Sequence, residues 1–161
     1  MEIERKWLVA KLPNLDSLPM ESFERYFIYT SDTVEIRVQK RNEIYELERK
    51  SQVNNISRSK QIITISAQEF DFFKALSKKS IIRDSYIFNE YPEISIKIYH
   101  GEYEGLARVE VEFVTEEEAQ NFFPFDWFGA EITNATIGRD KTLVELNEDR
   151  FKKELSKYMS I

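Results

Sequence analysis

The chain has 161 residues, of which 42% are hydrophobic and 14% aromatic, and its formal net charge is −6. That is the make-up of one globular domain, residues 1–161, with enough apolar material for a core. The absence of cysteine excludes disulfides, cysteine–zinc sites and thiol catalysis, and the acidic balance argues against nucleic acid as a partner.

The first segment, Glu2-Ile3-Glu4-Arg5-Lys6-Trp7, alternates in character. In a strand, positions i, i+2 and i+4 share a face, so Glu2, Glu4 and Lys6 point one way and Ile3, Arg5 and Trp7 the other. This predicts a strand over Glu2 to Ala10. A charged strand is not the pattern of a secretory leader, and no apolar run approaches the ~20 residues of a membrane span, so the expected location is cytoplasmic and no membrane partner is expected.

Strands follow over Ser22–Thr30, Thr33–Lys40, Ile44–Lys50 and Ile56–Ile65, with Asn42-Glu43 and Asn54-Asn55 as turn signals. The charged alternation recurs at Glu35 and Arg37, at Glu46, Glu48 and Lys50, and at Arg58 and Lys60. Ser66-Ala67-Gln68-Glu69 is a capping box that opens a helix to about Lys78, with Phe70 and Phe73 on one face. Three more strands are predicted over Ile81–Asn89, Ile94–His100 and Ala107–Val114, with a hairpin loop at Gly101 to Gly105. In the last of them Arg108, Glu110 and Glu112 alternate with Val109, Val111 and Phe113. Thr115 caps a helix that ends near Pro124, and Phe151, Leu155 and Tyr158 stand at helical spacing in a final helix over Asn147–Tyr158. Between these helices, Gly138 to Lys141 reads as a charged loop.

Eight such strands allow two architectures. One is an open antiparallel sheet with its charged face in water. The other is a closed barrel with the charged faces turned inward and the apolar faces under helices. Periodicity alone favours the open sheet, because a solvated charged face is the commoner case.

The opening Glu2-x-Glu4-x-Lys6 resembles the signature of the CYTH domain, or triphosphate tunnel metalloenzymes. That family includes class IV adenylate cyclases, thiamine triphosphatases and inorganic triphosphatases. Three further segments are similar to the family's in the same order: TVEIRVQK with YELERK, YHGEYEGLARVEVEF, and WFGAEIT. The resemblance implies an α+β fold, a closed eight-stranded antiparallel β-barrel forming a tunnel with helices packed outside. It implies metal-dependent hydrolysis of a triphosphate, inorganic or organic. The same resemblance leaves room for class IV adenylate cyclase chemistry and for a non-catalytic polyphosphate- or nucleotide-binding module.

The site residues are carried over by resemblance. Glu2, Glu4, Glu110 and Glu112 would hold two ions of Mg²⁺ or Mn²⁺, which prefer hard oxygen ligands. Lys6, Arg37, Lys50 and Arg58 would bind the phosphates, as guanidinium forks and ammonium groups suit them. Glu4, Lys6 and Glu112 would carry the chemistry, and a homodimer is the implied assembly.

The chain departs from the family pattern at several points. Lys60 and Ile62 stand where the family has acids after Arg58, Arg83-Asp84-Ser85 where it has K-x-R, Ser95-Ile96-Lys97 where it has E-x-D, and Glu35 where it has the first Arg of R-x-R. Lys60, Lys97 and Arg108 face inward by parity and, with Arg83, complete the expected phosphate-binding set. Arg139 and Lys141 are further candidates. His100, the sole histidine, is expected to be structural or at the surface, and Trp7 and Trp127 in the core.

Overall fold

The structure, a computed structural model, describes residues 1–159. Eight strands form the barrel: β1 (Glu2–Val9), β2 (Met20–Thr30), β3 (Val34–Arg41), β4 (Ile44–Gln52), β5 (Ser57–Thr64), β6 (Ser80–Glu90), β7 (Glu93–His100) and β8 (Ala107–Phe113). They run in the order β5-β4-β3-β2-β6-β7-β8-β1, and pairing of β1 with β5 closes the ring. All pairings are antiparallel, as hairpin-length connections allow. The seam is short, with only Glu2↔Arg58 and Ile3↔Ser57 in register.

A ninth strand, β9 (Phe128–Glu131), takes the rest of that edge, where Trp7 pairs with Glu131 and Val9 with Phe128. The Arg5 guanidinium fastens it through Glu131 at 2.7 Å. This strand was not among those expected. Its four residues include Gly129, too few for a period-two pattern to show.

The outward faces are apolar and covered. Helix α2 (Glu116–Asn121), capped by Thr115, lies over a cluster of Ile3, Trp7, Val109, Val111, Phe113 and Ala119. Helix α1 (Ala67–Leu76) has the full capping box between Ser66 and Glu69, and sets Phe70 against Val38 and Ile65. Both helices stop short of the expected ends, because strand β6 begins at Ser80 and Phe122 is already extended. With both outer faces spoken for, the charged faces turn inward. The open sheet with a solvated charged face is therefore corrected to a closed barrel, which also removes the exposed sheet edges.

One end of the barrel is filled. On five strands the inward face changes from charge to hydrocarbon one step along: Lys6 to Leu8, Arg25 to Phe27, Arg83 to Ile81, Lys97 to Tyr99, and Arg108 to Leu106. These five apolar residues form one cluster with Ile132, Ile137, Leu143, Val144, Leu146 and Phe151. The C-terminal segment thus plugs the barrel, each fully buried Leu, Ile or Phe contributing roughly 1.5–3 kcal/mol. The plug carries the short helix α3 (Asp140–Leu143) after a 3-10 turn at Thr136–Gly138, then α4 (Glu148–Met159). Gly138 to Lys141 is therefore not the expected loop. No helix of the described residues is long and apolar enough to cross a membrane.

Candidate active site

The interior between the plug and the open end is a cavity of about 430 Å³. Strand parity delivers one inward residue in two, so consecutive strands stack their charged positions around one space. Glu2, Glu4, Lys6, Arg37, Lys50, Arg58, Lys60, Arg83, Lys97, Arg108, Glu110 and Glu112 all line it. So does Arg139, whereas Lys141 turns away and donates to the Ser31 and Asp32 carbonyls. Eleven basic and ten acidic side chains form the wall, so the cavity is close to neutral although the chain is acidic. His100 lies outside, exposed and 2.8 Å from Asp84. Trp7 is buried and Trp127 half-buried beside it in the outer cluster.

The wall is a net of ion pairs. Lys50 Nζ sits 2.8 Å from Glu2 Oε1, and Arg58 Nη1 sits 2.9 Å from Glu4 Oε1. Lys6 Nζ is 3.1 Å from the same Glu4 oxygen. Arg37 donates to Glu35 at 3.2 Å and to Glu48. Arg108 grips Glu110 with two donors at 2.8 and 2.6 Å. Burial alone would raise the Glu4 carboxyl, but Lys6, and then Lys50 and Arg58, outweigh it and hold it well below the usual range. Burial lowers the Lys6 ammonium to about 8 despite Glu4.

Several residues that sequence reasoning passed over belong to this net. Arg25 lines the cavity, but its strand face reads Glu21, Phe23, Arg25, Phe27, which mixes charge with aromatics and hides the alternation. Glu48 was seen only as part of an alternating run, with no role. Asp140 is the largest omission. It accepts from Arg25 at 3.0 Å, Arg108 at 3.0 Å and the Tyr99 hydroxyl at 2.6 Å, and lies 3.2 Å from Arg83 Nε. Nothing local in Gly138-Arg139-Asp140-Lys141 marks a residue that strands β2, β6, β7 and β8 will surround.

The net leaves donors over. Among the described residues, Arg25 Nε, Arg37 Nε, Arg58 Nε, and Arg83 Nε and Nη1 are buried without a hydrogen-bond partner. An unmet buried donor costs ~1–3 kcal/mol, and an entering anion rich in oxygen would meet these. At the open end the imbalance is reversed. Burial, a hydrogen bond with Glu93 and the nearby Glu2 and Glu4 raise the Glu112 carboxyl to about 7. Glu112 stands directly across β8 and its neighbours from Glu4 and Glu93. A cation would relieve this crowding, and carboxylate oxygens are the donors that Mg²⁺ and Mn²⁺ take. As the side chains stand, no three acidic groups among the described residues converge closely enough to hold an ion. Glu2, Glu4 and Glu110 are turned to their basic partners, so metal binding requires them to swing from those partners.

No protein-family model matches the chain. The inorganic triphosphatase of Nitrosomonas europaea is 29% identical over 147 residues, covering 88% of this chain and 95% of that protein. A crystal structure of an inorganic triphosphatase superposes with a TM-score of 0.67 at 27% identity, covering 89% of this chain and 94% of that one. The PH1012 protein of Pyrococcus horikoshii, at 15% identity, shares the fold with a TM-score of 0.58 over 74% of this chain and 82% of its own.

Proposed function

We propose that this chain is a metal-dependent triphosphate phosphohydrolase of the CYTH family of triphosphate tunnel proteins, which its likeness to inorganic triphosphatases supports. The observation that carries the reading is the closed barrel whose interior holds buried arginine donors without partners and, at the open end, crowded carboxylates. Water attacks the terminal phosphorus, the bond to the bridging oxygen breaks, and orthophosphate leaves the shortened chain. The relative's name makes inorganic tripolyphosphate the first substrate to try.

Lys6, Arg37, Lys50, Arg58, Lys60, Arg83, Lys97 and Arg108 bind phosphoryl oxygens in this reading. Glu2, Glu4 and Glu110, now paired with Lys50, Arg58 and Arg108, are released as the anion enters. Glu2, Glu4, Glu110 and Glu112 would hold Mg²⁺ or Mn²⁺, the donor set being all hard oxygen. When bound, such ions neutralise charge on the transferring group. Lys6, buried between Glu4 and Arg58, keeps its ammonium where the bond breaks and stabilises the departing oxygen.

The test is phosphate release from tripolyphosphate, ATP and thiamine triphosphate with Mg²⁺ or Mn²⁺. Wild type should turn over at least one of them only with metal. Glu4→Gln should lose on the order of 10²-fold or more. Release of a cyclic nucleotide, or tight binding with no release, would overturn the assignment.

A further inference from the structure

We infer that Arg25, Arg83 and Lys97, gathered on the ring of Phe23 and braced by Asp140, form a subsite for a free terminal phosphoryl group at the closed end of the tunnel. The inference rests on the triphosphate reading above and specifies which end of the substrate goes where.

Three strands supply the cations. The guanidinium carbons of Arg25 on β2 and Arg83 on β6 each lie 5.1 Å from the Phe23 ring centre, and Lys97 Nζ on β7 lies 5.8 Å from it. A phenyl ring faces them where a closed net of ion pairs would put carboxylates. Among the described residues, the one acidic contact of Arg25 and Arg83 is Asp140, which lies 3.0 Å from Arg25 and 3.2 Å from Arg83 and is shared with Arg108. Lys97 reaches only the Ser85 hydroxyl, at 2.7 Å. One carboxylate cannot satisfy so many donors. Arg25 Nε and both Nε and Nη1 of Arg83 are left over, on side chains 9% and 3% exposed. Cations crowd Arg25 and Lys97, whereas Asp140 and Glu110 favour the charge on Arg83. Burial, then Arg83, lowers the Lys97 ammonium to about 7, and burial, then Arg37 and Arg83, lowers Arg25 to about 10.

The position selects the ligand. Beneath these groups the inward face is Phe27, Ile81 and Tyr99, packed against the C-terminal plug. A chain that reaches them cannot pass through, so the group they receive is an end and carries no substituent. Any organic part of a substrate then lies toward Glu93 and Glu112, at the open end. Asp140 touches no substrate here. It is a positioning residue that holds Arg25 and Arg83 in the cavity wall, which both line.

Two measurements test this. In steady-state hydrolysis of tripolyphosphate, Arg25→Gln should raise KM about tenfold or more, as expected for loss of a charged hydrogen bond, and Arg25→Lys should recover much of it. In calorimetry of tripolyphosphate binding, with EDTA to stop turnover, buffers of different ionisation heat report proton uptake. At about pH 8 the wild type should take up protons as the anion recharges Lys97 and Lys6, and Lys97→Met should take up markedly fewer. The groups facing Lys97 are Arg83 and Ser85 from β6, Arg25 from β2, and Arg108 and Glu110 from β8. If Arg25→Gln fails to fold, the Lys97→Met calorimetry decides alone. An active wild type whose KM is unchanged in Arg25→Gln, or whose proton uptake is undiminished in Lys97→Met, overturns the subsite and leaves the hydrolase reading intact. A wild type that neither binds nor hydrolyses any triphosphate overturns both.

Discussion

Lys50 Nζ on β4 lies 2.8 Å from Glu2 Oε1 on β1, so a residue assigned to phosphate and a residue assigned to metal neutralise each other in the free protein. Both side chains are only 10% exposed. Removing one partner of such a pair leaves a buried charge and costs ~3–5 kcal/mol. Glu2→Gln should therefore lower the apo unfolding midpoint and abolish turnover. It should also bind tripolyphosphate more tightly than wild type in EDTA, because Lys50 no longer has to be freed. Thermal shift with and without tripolyphosphate checks both; weaker binding by the variant would contradict the exchange.

Metal should stabilise the protein independently of catalysis. Titrating Mg²⁺ or Mn²⁺ into metal-stripped protein should raise the unfolding midpoint, the unfolding free energy gaining about 2.7 kcal/mol at a hundredfold excess over Kd. Glu112→Gln should remove most of that rise, since Glu112 sits among Glu2, Glu4 and Glu93. An undiminished rise in the variant would place the ions elsewhere.

Asp140 gives a pH signature. Burial would raise its carboxyl, but Arg83, Arg108 and Arg25 hold it well below its ordinary value of 3.8. A depressed folded-state pKa contributes stability that is present above the unfolded value and lost as pH falls. Asp140→Asn should thus be less stable than wild type by ~3–5 kcal/mol near neutrality. The gap should close as pH drops below about 4, where the unfolded wild type takes up its proton and the folded state resists. Denaturant melts at several pH values would show it, and a pH-independent gap would deny the ion-pair account.

Gly138 should not tolerate a side chain. A Cβ there would lie 1.9 Å from the Ile132 carbonyl oxygen, a backbone atom that cannot move aside. Gly138→Ala should cost ~1–3 kcal/mol or more. It should also raise KM for tripolyphosphate, because the displaced turn carries Arg139 and Asp140. Denaturant midpoint and kinetics measured on one preparation would check both effects.

Much of this molecule is readable along the chain. The strands β1 to β8, the capping box of α1 and the Thr115 cap of α2 follow from period-two alternation and local hydrogen-bonding chemistry, and the twelve charged positions expected from parity and family resemblance are among those that line the cavity. Those signals span a few residues each, so a single sequence carries them in full. Whether the alternating charges meet water or each other does not. That depended on Trp7, Val109 and Val111 finding α2, and Val38 finding α1, on the outside. Arg25 and Asp140 were invisible for the same reason. They lie 115 residues apart, and their 3.0 Å contact exists only because β2 and the C-terminal plug share the closed end. The sequence by itself determined which residues alternate and where α1, α2 and α4 start. The tertiary structure decided which face is interior, which end is shut and which cations go without a carboxylate, because each depends on groups brought together across the barrel.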